Sequence, residues 1–244
     1  MRKCARLPNL EEFIYVLRNM RLWEKLVFLV LIISFLASFL AIIWKISNLY
    51  MVEVPAYGGT LTEGIIGTPR FINPVLASSD ADRDLAALAY SGLLRPDNRG
   101  RLISDMAEKY DISEDGLVYT FTLKPKLFWQ DGEPVTADDI IFTIEKIKDP
   151  AMKSPKRAGW EGVAAEKIGD KTVKFTLKKP YAPFLENTTI GILPSHIWGN
   201  MSSDEIASSE MNAKPTGSGP YEISGIKRNS VGIISSYELS SNKN

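Results

Sequence analysis

The chain has 244 residues, 45% of them hydrophobic and 24% charged, with 29 basic against 29 acidic side chains and a formal net charge of zero. That balance excludes the basic excess or stripe of a nucleic-acid binder. Cys4 is the single cysteine, so no intramolecular disulfide and no cysteine metal cluster can form, and an exported fold must rest on its core alone.

Leu10 to Trp23 interleaves Phe13, Ile14, Val16, Leu17 and Met20 with Glu11, Glu12, Arg18 and Arg21. It reads either as a helix lying on the cytoplasmic membrane face or as a solvated helix with a weak apolar stripe. Leu26 to Trp44 is apolar apart from Ser34 and Ser38. As a helix it spans about 28 Å, close to the bilayer's hydrocarbon thickness. An apolar surface on every side predicts one transmembrane helix. Arg2, Lys3, Arg6, Arg18, Arg21 and Lys25 precede it and only Lys45 closely follows, which predicts a cytoplasmic N-terminus and an outward-facing main domain, extracellular or periplasmic. The apolar core exceeds a secretory signal's roughly 7–15 residues, and no small-x-small site follows closely, so an uncleaved signal anchor is expected. The divisions are a cytoplasmic segment 1–25, an anchor 26–46 and a tether 47–59.

Beyond the tether, Leu61 to Ile66 predicts a short strand, and Thr68 to Asp80, with Pro69 and Pro74, an extended or turning segment. Leu85, Leu88 and Ala89 share a face of a helix expected from Asp82 to about Tyr90. Met106 to Ile112 and Leu117 to Lys124 alternate as a hairpin across Ser113-Glu114-Asp115-Gly116. Then comes Phe128-Trp129-Gln130-Asp131-Gly132-Glu133-Pro134-Val135-Thr136-Ala137-Asp138-Asp139. Asp131-Gly132 marks a turn, Thr136 can N-cap a helix, and Asp138 and Asp139 put negative charge in its first turn. Ile140 to Ile147 continues that helix, and Pro150 stops it. Val163 to Ile168 and Thr172 to Lys178 form a second hairpin, Pro183 opens a short helix or turn, and Val231 to Leu239 reads as a strand. Strands and helices mix without a βαβ rhythm, so the fold class is α+β.

The Trp129–Asp139 run, Trp-x-Asp-Gly-x-Pro-Val-Thr-Ala-x-Asp, resembles the signature of the family 5 extracellular solute-binding proteins. These are the oligopeptide-, dipeptide- and nickel-binding receptors of ABC importers. Asn73-Pro74, Ser91-Gly92-Leu93-Leu94, Met106 to Tyr110, Tyr119 to Lys124, Thr172 to Leu177, Leu193 to Trp198 and Thr216 to Tyr221 match in the same order. The resemblance implies a periplasmic-binding-protein-like first lobe: a large domain from residues 60–90 and 181–244, with a small domain, 91–180, inserted into it. It places the second lobe outside these 244 residues, so a truncated chain with weak or no peptide binding of its own is expected. The implied partners are a peptide or similar solute and ABC permease and ATPase subunits, with one membrane span and no nucleic acid. A non-transporting, membrane-tethered interaction domain using the single lobe is the alternative.

By resemblance, Ser78, Ser79 and Asp80 lie on the ligand-facing edge, where main-chain pairing with an extended peptide tolerates many side chains. Asp80 can instead simply cap the next helix. Asn73, Pro74, Trp129, Asp131, Gly132, Pro134, Thr136, Asp139, Gly217, Gly219 and Pro220 form the structural signature, with a backbone role for the last three. Trp129 and Trp198 either pack in the core or stack on ligand. His196 is the single histidine and reads as structural. Gly217-Ser218-Gly219 matches neither a complete phosphate loop nor a nucleophile elbow, and no Ser/His/Asp set has sequence context, so no enzyme, catalytic residue, metal or cofactor is expected.

Overall fold

A computed structural model describes residues 14, 15, 18–50 and 58–242. The chain divides into two compact units, Met1–Thr62 and Glu63–Asn244. Much of Leu10–Trp23 and of the tether lies outside the described residues.

In the first unit, α1 (Leu22–Tyr50) is a single unbroken helix. Glu24 accepts from the Arg21 backbone N–H at 2.8 Å, satisfying a donor at the helix start. Within it, Leu22–Ser47 is long and apolar enough to cross a membrane, and its large apolar side chains are exposed on every side. At 1.5 Å per residue those 26 residues reach about 39 Å, more than a bilayer's hydrocarbon core.

Where the first unit gives way to the second along the chain, the structure differs from expectation. Leu61 to Ile66 forms no strand, and Leu61 and Ile66 are 89% and 98% exposed. Leu61, Ile65 and Ile66 supply apolar side chains but no ladder, and no strand pairs with this segment among the described residues. The next helix, α2 (Asp80–Ala89), starts two residues before the expected Asp82, because Ser79 is its N-cap and Asp82 completes a reciprocal capping box.

β1 (Leu94–Pro96) and β2 (Leu102–Ser104) form a small hairpin whose turn is held by Asp97. The Asp97 carboxylate accepts from the Arg99 and Arg101 backbone and pairs with the Arg101 guanidinium at 2.8 Å. The main sheet is antiparallel, in the order β3 (Ala107–Ile112), β4 (Val118–Leu123), β6 (Thr172–Leu177), β5 (Val163–Gly169). Both expected hairpins are present. Alternation on the central strands buries Tyr119, Phe121 and Leu123 from β4 and Val173, Phe175 and Leu177 from β6.

α3 (Ala137–Lys148) packs on this sheet through Ile140, Ile144 and Ile147. The short helices α4 (Arg157–Trp160) and α5 (Phe184–Asn187) add an aromatic cluster. The Trp160 ring lies edge-on 5.4 Å from Phe175 and 5.5 Å from Phe184. α6 (Ser195–Trp198) and α7 (Ser203–Ser208) follow. A ribbon of β7 (Tyr221–Arg228) and β8 (Ile234–Ser241) ends the described chain. β8 begins three residues after the expected Val231. The Asn229 side chain accepts from the Val231 and Ile233 N–H groups and Gly232 takes φ +86°, so this stretch is the turn.

Candidate functional site

The signature run is built into the scaffold. The Trp129 backbone N–H donates to the Glu133 carbonyl at 2.8 Å and Gly132, at φ +91°, closes the turn between them. Thr136 is the N-cap of α3, and Asp139 accepts from the Thr136 N–H at 2.8 Å. The other Asp139 oxygen accepts from the Ser195 N–H at 2.8 Å and hydroxyl at 2.7 Å, tying α3 to the start of α6. Asp131 meets His196 Nε2 at 2.9 Å, a second bond between the same regions. Trp129 and Trp198 are buried, and the Trp129 ring lies 6.3 Å from the His196 ring. Pro134 sits in an isolated bridge opposite Phe128.

The run also reaches the distant glycine element. The Gln130 N–H donates to the Gly217 carbonyl, its side-chain oxygen accepts from the Gly217 N–H at 2.9 Å, and its amide nitrogen donates to the Tyr221 carbonyl. A Cβ on Gly217 would stand 1.8 Å from the Ala89 carbonyl oxygen, and one on Gly219 would stand 2.6 Å from the Leu88 carbonyl oxygen. Only glycine allows the chain to cross the end of α2 this closely. The Gly219 N–H then donates to the Ala89 carbonyl at 2.9 Å.

The approach to α2 is organised by two buried polar side chains. Asn73 accepts from the Val75 N–H and donates to the Asn212 side chain at 3.0 Å, while Asn212 donates to the Ile206 carbonyl. The Asp82 carboxylate, 1% exposed as a residue, accepts from the N–H groups of Arg70 (2.7 Å), Phe71 (3.0 Å), Ser78 (3.3 Å) and Ser79 (3.1 Å). Burial alone would raise its pKa, but donation from the Phe71, Arg70 and Ser79 backbone outweighs that and holds it below the usual carboxylate value.

Beside this loop lies an open cavity of about 860 Å³. Its floor includes Pro74, Ala86, Tyr90 and Trp160, and its rim carries Arg83, Arg95, Lys156, Asp105 and Glu186. Pro220 and Gly219 close one side. The size suits a small solute or part of a larger one. Arg95 faces Asp105 at 3.9 Å, whereas Lys156 and Glu186 form no ion pair among the described residues. Among the described residues the buried Tyr90 hydroxyl has no hydrogen-bond partner, and burial pushes its pKa upward.

The three residues expected at the ligand edge are adjacent to the cavity without lining it; Ala77 and Arg83, on either side of them, do line it. Ser79 is the helix cap. Asp80 does not cap by side chain but pairs with Arg83 one turn on. Sequence reasoning missed Arg83, Arg95, Lys156 and Glu186, which carry no local pattern. It also missed Asp82, although Ser79-x-x-Asp82 is a capping-box spacing.

Comparison with known proteins fits this architecture. The profile described as "Bacterial extracellular solute-binding proteins, family 5 Middle" matches residues 101–238. The oligopeptide-binding protein AppA of Bacillus subtilis is 33% identical over 173 residues, covering 69% of this chain and 32% of that protein. Its structure in complex with a nonapeptide aligns with TM-score 0.67 at 30% identity, over 73% of this chain and 35% of that one. NikZ of Campylobacter jejuni, in complex with Ni(L-His), aligns with TM-score 0.63 at 34% identity, over 72% and 34%. The chain thus spans about a third of the length of the curated relatives it matches.

Proposed function

The chain belongs to the bacterial extracellular solute-binding proteins of family 5, and on that footing we propose that it captures a peptide or similar solute outside the cell and delivers it to an ABC permease and its ATPase. The observation that carries this reading is the 860 Å³ cavity, framed by the family's own sequence elements and rimmed by charges of both signs. Relatives such as the oligopeptide-binding protein AppA and the glutathione-binding protein GsiB are named as binding proteins, which supports capture as the role of this site. Apolar floor contacts and rim charges of both signs suit the holding of a solute.

Anchoring by α1 is part of the proposal. Its length, its apolar surface and the basic residues before it support a single span with the N-terminus inside. The proposed division places 60–90 and 181–244 in a large domain and 91–180 in an inserted one, with the cavity between their elements. Residues of both parts line it: Arg83, Glu186 and Pro220 from the first, Arg95, Lys156 and Trp160 from the second. A membrane-impermeant maleimide tests the topology in intact cells. A cysteine at Asn98, in the exposed β1–β2 turn, should label at once, while the native Cys4 should label only after permeabilisation. Prompt labelling of Cys4 with protection of position 98 would reverse the proposed orientation.

A further inference from the structure

An extended peptide that pairs with main chain needs free N–H and C=O groups along one edge. At Ser78 and Ser79 those groups are engaged inside the protein. Both N–H groups donate to the buried Asp82 carboxylate, at 3.3 and 3.1 Å, and the Ser78 carbonyl accepts from Arg83 Nη1 at 2.7 Å. Strand-like pairing here would leave a buried carboxylate short of donors. The exchangeable group is Arg83 itself. Its second guanidinium nitrogen pairs with Asp80, and the two side chains are 48% and 85% exposed. So solvated a pair contributes little and is readily broken.

Resting on the solute-binding reading above, we propose that Arg83 is the specificity-determining residue of the cavity: it releases Asp80 and takes an anionic group of the solute. Arg83 lines the cavity while Asp80 does not, so a solute carboxylate reaches the guanidinium from the open side. The planar fork accepts a carboxylate on two parallel N–H groups, a geometry that lysine does not reproduce. Lys156, on the same rim and without an ion pair among the described residues, adds positive potential to that side. Asp80 is then a competitor for Arg83 and not a contact for the solute.

The test uses the full polypeptide in detergent and two peptides, Ala-Glu-Ala amide and Ala-Gln-Ala amide, titrated by ligand-observed NMR, which reads weak binding. The acidic peptide should bind about three- to fivefold more tightly, the range one half-exposed charge pair supports. In Arg83→Gln the ratio of the two Kd values should fall to about one, and in Arg83→Lys it should fall part of the way. Because both peptides are measured on one preparation, the ratio is unaffected by any loss of folded protein. Asp80→Asn should tighten the acidic peptide about twofold and leave the neutral one unchanged. A weaker acidic complex in Asp80→Asn, or equal Kd values in the unaltered protein, overturns the role of Arg83 while leaving solute capture intact. Failure of both peptides to bind overturns the assignment of this cavity as a solute site, and the role of Arg83 with it.

Discussion

Replacing Asp139 by alanine tests whether the signature run acts through scaffolding. The carboxylate is 3% exposed as a residue and holds four donors: the Thr136 N–H and hydroxyl, and the Ser195 N–H and hydroxyl. Truncation lets the two hydroxyls rotate toward other acceptors but strands two part-buried backbone N–H groups. Each stranded donor costs about 1–3 kcal/mol, and partial exposure favours the lower end, so the expected loss is about 3 kcal/mol. For a folded unit of this size that lowers Tm by about 6–12 °C. Asp138 is the internal control. Its side chain is 59% exposed and pairs with Lys167 at 2.7 Å, so Asp138→Ala should cost less than about 1 kcal/mol. Tryptophan fluorescence reads both melts, because Trp129, Trp160 and Trp198 are all buried in this unit. Equal losses in the two variants, or a loss under about 1 kcal/mol in Asp139→Ala, would refute the scaffold account.

Gly217→Ala places a methyl 1.8 Å from the Ala89 carbonyl oxygen, so the crossing must open; a loss of about 3 kcal/mol or more, or failure to fold, is expected in urea unfolding. Asn73→Ala and Asn212→Ala each break a buried amide pair held at 3.0 Å, and a double-mutant cycle should give a coupling of about 1 kcal/mol or more. Asp82 is held below its ordinary pKa because donation from backbone N–H groups outweighs the effect of burial, so its stabilisation is complete above the unfolded value near 4 and is lost as pH falls through the lower folded value. The stability gap between the unaltered protein and Asp82→Asn should therefore be level above about pH 5 and narrow in acid; a gap that widens on acidification would contradict the assignment.

What could be read in the chain was whatever is local. Alternation over 118–123 and 172–177 places Tyr119, Phe121, Val173 and Phe175 on one buried face, and the spacing from Thr136 to Lys148 carries its own cap, charge bias and stop. Residues 61–66 show the limit: Leu61, Ile65 and Ile66 are apolar, but strand structure depends on a partner, which the local sequence does not specify. Gln130 shows it again, because its partners Gly217 and Tyr221 lie 87 and 91 residues away and an isolated glutamine has no characteristic spacing. The cavity rim was illegible for the same reason. Arg83, Arg95, Lys156 and Glu186 come from four separate elements, and nothing in their immediate neighbours marks them as facing one space.

The residues that carry the family resemblance and those that would choose a solute are largely different sets, and their physical environments explain why. Asn73, Trp129 and Asp139 are buried, Gly217 and Gly219 abut the end of α2, and each is constrained by sterics or by buried donors. Pro74, Gly219 and Pro220 are the signature members that line the cavity, and they offer it shape and no charge. The charged rim side chains, by contrast, are held by exposed pairs, by one bond from Arg83 to the Ser78 carbonyl, or by no ion pair among the described residues, so exchanging them costs the fold little. A frame so arranged can keep its signature while its rim changes. That separation is in keeping with one architecture among relatives whose solved complexes hold a nonapeptide in one case and a nickel–histidine complex in another. It also makes Arg83, and not the aspartates of the signature, the side chain whose replacement should alter what this protein binds without altering whether it folds.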